Sequence, residues 1–293
     1  MCACGAAVTA GAVCGAASLL RWNNKSIVTT EYEIGSPRVP EAFDGFRIVQ
    51  VSDLQSEYFG LSQSSLLRAV RNGDPDIIVI TGDLIDRNHT DYMAAYQAVS
   101  GLVRIAPVYY VNGNHEYVLP DRKLLPFFGK MRDLGVHMML DEGEEIRRGD
   151  SHINIAGLSE NSVFAAKEAG QELGVTFEYT ELIQRMKEVL EKTDGEYSIL
   201  LTHEPQYLEQ YARLEPDLIF CGHAHGGQFR LPGGQGLFAP GQGPLPKLTS
   251  GVHQMGRTQM VISRGLGNSI FPWRLNNRPE IVAAVLRSSE DED

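Results

Sequence analysis

The chain has 293 residues, 43% hydrophobic and 22% charged, enough to bury a sizeable core in one large domain. Lys plus Arg number 26 against 37 Asp plus Glu, a formal charge of −11. That balance disfavours a polymeric nucleic-acid partner, because binding a phosphate backbone rests on basic side chains neutralising it.

Residues 2–20, CACGAAVTAGAVCGAASLL, carry no charge. As a helix they would span about 28 Å at about 1.5 Å per residue, close to the thickness of a bilayer core. The stretch is mostly Ala and Gly, with Val8, Val13, Leu19 and Leu20 as its only large aliphatics. No basic residue precedes it, whereas a signal peptide has a basic start. Arg21 and Lys25 follow it, which by the positive-inside rule argues against export of the body. Two readings stand, a poorly ordered leader and a weak membrane anchor or signal. Cys2, Cys4 and Cys14 fall in this leader. Cys221 is alone in the body, so the body forms no internal disulfide.

Short apolar runs follow: FRIVQVS (46–52), DIIVITG (76–82), PVYYVNG (107–113), YSILLTH (197–203) and DLIFCGH (217–223). Rich in Val, Ile, Leu and aromatics, they predict buried strands. Amphipathic spacing over 62–73, 90–104, 122–135 and 177–193 predicts helices. Alternating strands and helices imply an α/β protein with crossover connections. The segment 136–158 shows three short alternating runs that predict successive antiparallel strands. Residues 226–251 are rich in Gly and Pro and predict a long shaped loop. Strands over 260–267 and 280–287 close the chain. The division expected is a leader or anchor at 1–27, one domain at 28–288 and an acidic tail at 289–293.

The informative feature is what stands at the strand ends. Asp53 follows the first run, and Asp83 the second, in GDLID. Asn114 and His115 follow the third, in GNHE. His203 ends the fourth, and His223 and His225 follow the fifth, in GHAH. Ligands of α/β sheets collect outside the carboxyl ends of strands, so these residues predict one convergent cluster. Carboxylates, an amide oxygen and imidazoles together suit intermediate divalent ions such as Mn²⁺, Fe²⁺ or Zn²⁺. There are too many donors for one tetrahedral ion and enough for two ions sharing a ligand, with a bridging water as nucleophile. A lone His at a strand end is more often structural, and His89, His137, His152 and His253 are read that way.

The series D-x-Q, GD-x-x-D, GNHE, H and GH-x-H resembles the calcineurin-like metallophosphoesterases over residues 46–287. GHAHGGQFRLP, LFAPGQGPLP and ISRGLGNS are similar to the bacterial branch of YkuE-type and YaeI-type enzymes. The resemblance implies a four-layer α/β-β/α sandwich of two mixed sheets and a two-metal centre. Asp53 and His225 would bind the first metal, Asp83 would bridge, and Asn114, His203 and His223 would bind the second. His115 would stabilise the transition state or protonate the leaving oxygen, and Asp86 would orient His115. Arg87 stands where the protein-phosphatase branch has a phosphate-binding Arg. The sequence departs from the family pattern at Gln55, where His is commonest. Its carbonyl oxygen still offers a donor, harder and weaker than imidazole. The expectation is a first site that stays metallated, binds more loosely and favours Mn²⁺ or Mg²⁺ over Zn²⁺.

The implied activity is hydrolysis of a phosphoester or phosphoanhydride, with phosphodiesters and UDP-diacylglucosamine among the substrates of relatives. The rival functions are a nuclease and a catalytically weak binding scaffold. The branch often carries an N-terminal membrane segment or export signal, which implies a membrane-associated, extracytoplasmic location through residues 2–20. Phe229, Leu231, Leu237, Phe238 and Leu245 in the Gly/Pro loop admit two readings, a groove lining and, the one preferred, packing of the loop on the core.

Overall fold

The computed structural model describes residues 15, 17–172, 196–268 and 271–289. The central strands are mainly apolar because both of their faces are covered. Ile77–Thr81 reads IIVIT and is buried throughout. Ile78 and Ile80 point into one core, Ile77 and Val79 into another. In this way the two-residue period of a strand divides one apolar run between two layers.

The strands are β1 (Val28–Ser36), β2 (Arg47–Val51), β3 (Ile77–Thr81), β4 (Val108–Val111), β5 (His137–Met138), β6 (Gly143–Arg148) and β7 (Ser151–Gly157). They continue with β8 (Ser198–Leu201), β9 (Leu218–Cys221), β10 (Phe238–Ala239), β11 (Gly243–Pro244), β12 (Gly251–Met255), β13 (Thr258–Ile262) and β14 (Glu280–Ser288). One mixed sheet has the order β1-β14-β2-β3-β4-β5, the other β12-β13-β9-β8-β7-β6. Ile48, Val79 and Val111 of the first sheet meet Ile155, Leu201 and Phe220 of the second in the core between them.

Helices cover the outer faces. Ser64–Asn72, Tyr92–Leu102 and Asp121–Asp133 bury Val70, Val99 and Phe127 against the first sheet. Asp91 starts the second of these by accepting the Met93 N–H at 2.9 Å. Glu160–Glu172 and Leu208–Ala212 bury Val163 and Tyr211 against the second sheet. The result is a four-layer α/β-β/α sandwich.

Several expectations change. His137–Met138 pairs parallel with β4 in the first sheet, while β6 and β7 form an antiparallel hairpin at the edge of the second. Of the three runs over 136–158, only the last two are therefore antiparallel neighbours. The strand expected over 260–267 ends at Ile262, since Gly265 at φ 68° turns the chain back toward Asp53. The expected helix at 177–193 lies outside the described residues, as do residues 1–14 and 16 of the expected anchor. Residues 17–25 are helical. Among the described residues no helix is long and apolar enough to cross a membrane, which corrects the expected membrane location.

The loop 226–251 also corrects its preferred reading. Leu231, Leu237, Phe238 and Leu245 are 44%, 36%, 48% and 61% exposed. The backbone holds this loop instead. Gly227 lies so close to Gly236 that a Cβ on Gly227 would stand 2.4 Å from the Gly236 Cα. Gln242 adds a clamp, donating to Leu248 O and accepting the Leu248 N–H.

Candidate metal centre

The carboxyl ends of β2, β3 and β4 in one sheet and of β8 and β9 in the other meet at one rim. Each delivers its polar residue within three positions of the last strand residue or at the turn just beyond. The turns are abrupt. Asp53, Asp83, His223 and His225 have φ of 51°, 52°, 65° and 46°, as does Gln55 at 50°. Left-handed backbone at non-glycine residues costs about 1 kcal/mol or more each and gathers at functional sites. Glycines bring the loops into contact. A Cβ on Gly222 would stand 2.0 Å from Ser52 Oγ and 2.4 Å from Asp53 Oδ2.

Two groups of donor atoms result, Asp53–Asp83–His225 and Asp83–His203–His223, each within 4.8 Å and fully buried. Asp83 belongs to both. His225 Nε2 lies 3.4 Å from Asp53 Oδ1, and His203 Nε2 3.3 Å from Asp83 Oδ2. Asn114 Oδ1 is 3.2 Å from His203 Nε2 and 3.0 Å from His223 Nδ1. The opposite atom of His203, Nδ1, faces Thr81 O at 2.7 Å. That carbonyl accepts the Nδ1 proton and turns Nε2 toward the cluster.

Gln55 reaches the same place. Its Nε2 donates to Asp83 Oδ2 at 2.8 Å, and its buried Oε1 has no donor. A turned amide would set that oxygen beside the shared carboxylate, an arrangement that only a cation between them makes favourable. The orphaned oxygen and the mixed oxygen and nitrogen donors fit divalent ions. His89, His137 and His253 join neither group, and nor does His152.

The charges fit as well. Burial pushes the Asp53 carboxyl up to about 6, with His203 opposing and Asp83 adding to the rise. Burial also acts on Asp83, but His203 and His115 hold it below the ordinary carboxylate range. His203 stands well above the ordinary imidazole value despite burial, because of Asp83. Burial and His203 press His223 well below that value, and burial and Arg274 take His225 down to about 3. The last two are neutral near pH 7, with lone pairs free for a metal.

His115 is buried beside Asp83, its Nε2 3.9 Å from Asp83 Oδ2. The Arg87 backbone N–H donates to His115 Nδ1 at 3.2 Å. A neutral ring then carries its proton on Nε2. Asp86 Oδ1 is 3.7 Å from that Nδ1, beyond hydrogen-bond reach, and accepts the Asn88 N–H at 2.6 Å. Its contribution is to the turn that aims the Arg87 N–H. Arg87, Asn88, His115 and Pro240 line a cavity of about 90 Å³ over Asp83 and Asn114.

Four charged residues escaped the sequence reading. Glu116 accepts the N–H groups of Asp83, Ile85 and Gly113 at 2.9–3.0 Å and so ties the β3 and β4 loops together. Its place in GNHE was a signal. Glu204, next to His203, was also within reach. Glu160 and Arg274 lay in segments with no motif.

The calcineurin-like phosphoesterase family model matches residues 46–227. The chain is 32% identical to the metallophosphoesterase YkuE of Bacillus subtilis, over 97% of this chain and 93% of that protein. It is 26% identical to the metallophosphoesterase YkoQ of the same organism, over 88% of this chain and 90% of that one. Its identity to the phosphodiesterase YaeI of Escherichia coli is 26%, over 82% of each.

Proposed function

The chain belongs to the calcineurin-like phosphoesterase family and is a metal-dependent phosphoester hydrolase, and on that premise we propose that it cleaves phosphodiesters. The observation that carries the reading is the single carboxylate of Asp83 shared by two donor groups. The name of YaeI as a phosphodiesterase supports the diester class. Asp53 and His225 would hold one divalent ion with Gln55 Oε1, and Asn114, His203 and His223 the other, with Asp83 between. When bound, the two ions supply Lewis acidity at the phosphoryl oxygens and lower the pKa of water.

The remaining residues orient the substrate and stabilise charge. Arg87, exposed at the cavity mouth, would hold a non-bridging phosphoryl oxygen. His115 would donate an Nε2–H hydrogen bond to the leaving oxygen and so stabilise its charge as the phosphorus–oxygen bond breaks and a water oxygen bonds in line, the proton that the water gives up ending on the leaving oxygen. The Arg87 N–H on Nδ1 fixes the ring for that hydrogen bond. Asp86 keeps the turn in place.

The test is turnover of bis(p-nitrophenyl) phosphate and p-nitrophenyl phosphate with Mn²⁺ present. Faster cleavage of the diester, lost on chelation, is expected. A preference for the monoester would defeat the diester reading, and no turnover of either would favour the scaffold.

A further inference from the structure

Behind the donor group of Asp53, Asp83 and His225 lies a buried positive charge that plays no part in the reaction above. Arg274 is fully buried. It donates to Arg264 O at 2.9 Å and to Gly267 O at 2.5 Å, both backbone carbonyls, while its Nε has no acceptor. Its Nη2 also lies 3.3 Å from His225 Nδ1. That ring nitrogen is itself 3.3 Å from Gly267 O. One carbonyl thus gathers the guanidinium and the back of the imidazole, whose Nε2 faces Asp53.

The other side is balanced. Glu204 Oε1 is 3.8 Å from His223 Nε2, and its Oε2 pairs with Lys167. Glu160 is fully buried, and neither of its carboxylate oxygens has a hydrogen-bond partner. Its backbone N–H is held by Asn112 Oδ1 at 3.0 Å, which fixes the residue at the start of its helix. Burial and Glu204 push the Glu160 carboxyl well above the ordinary carboxylate range, which favours its neutral form, and Lys167 balances Glu204, so this side carries no net charge. Fixed charges in a dry interior act on a nearby ion with little screening.

Resting on the two-cation reading, we infer that Arg274 weakens the site of Asp53, Asp83 and His225 relative to that of Asp83, His203 and His223. It acts through His225 and through space, as a positioning residue. The first site gives up its ion more readily than the second. Gln55 in place of imidazole works in the same direction as Arg274.

Protein stripped by chelator is titrated with Mn²⁺ alone, and free Mn²⁺ is read by electron paramagnetic resonance. The wild type should show one tight and one weak ion, and His225→Ala should remove the weak one. Arg274→Met should tighten the weak class about tenfold or more and leave the tight class unchanged. Arg274→Lys keeps the charge and should behave as the wild type does. Glu160→Gln, which removes no charge from a neutral carboxyl, should leave both classes as they are. Should Arg274→Met fail to fold, Arg274→Gln is the second variant, and a weak class that it does not tighten overturns the inference. Two indistinguishable classes in the wild type, or classes that no variant moves selectively, overturn it too while leaving the two-cation reading standing. Binding of fewer than two ions by the wild type would overturn that reading itself.

Discussion

The two sheets bring different chemistry to the rim. The first sheet supplies oxygen donors, namely Asp53 after β2, Asp83 after β3 and Asn114 after β4. The second supplies imidazoles, His203 after β8 and His223 and His225 after β9. Each of the two donor groups draws its residues from both sheets. The donor set is complete only when the sandwich is closed, so metal binding and the docking of the two sheets are linked equilibria.

Replacing Asp83, the donor common to both groups, attacks that link most directly. Asp83→Ala should abolish binding of both ions in a metal assay and cut turnover beyond the about 10³-fold that loss of one stabilising donor brings. Retention of either ion at wild-type affinity would separate the two halves. His115→Ala comes next. It should lower kcat about 10²–10³-fold, with KM and metal content little changed, if His115 stabilises the leaving oxygen and holds no metal. Equal loss of metal and activity would place His115 among the ligands.

Stripping both ions should loosen the join between the sheets. At a metal concentration of about 100 times Kd the bound state gains about 2.7 kcal/mol, so Tm should fall by about 5–10 °C on chelation. An unchanged Tm would mean that the sheets dock without help from the donors. The smallest effect is expected from Gln55→His, which adds an imidazole to the oxygen side. It should tighten the first site a few-fold and turn its preference toward Zn²⁺, read from the metal content of purified protein. An unaltered metal content would mean that Gln55 serves only to donate to Asp83 Oδ2.

Much of this was legible because the informative signals are local. The runs before Asp53, Asp83, Asn114, His203 and His223 are mainly apolar, and that pattern marks strands covered on both faces. Edge strands carry no such mark. β1 alternates half-buried and exposed residues, and β12 is largely exposed, so VTTEYEIGS and GVHQM were not anticipated as strands. His137–Met138 is two residues long, and its sheet is decided by a partner strand nearly thirty positions earlier. The charges behind the site were hidden for a related reason. An Arg in FPWRLNN reads as exposed, and only the tertiary arrangement of Arg264 O and Gly267 O accounts for its burial. The exposed leucines of the Gly/Pro loop mislead in the opposite direction, since hydrophobicity suggested packing where glycine contacts suffice.

The left-handed turns at Asp53, Asp83, His223 and His225 have an evolutionary corollary. Glycine adopts such angles freely, so Gly at any of the four would ease the backbone while deleting a donor. A laboratory campaign that rewards heat resistance alone, in metal-free medium, would therefore erode these very codons. Their survival in a lineage would be a record of selection for turnover, written against the grain of the chain's own conformational preference.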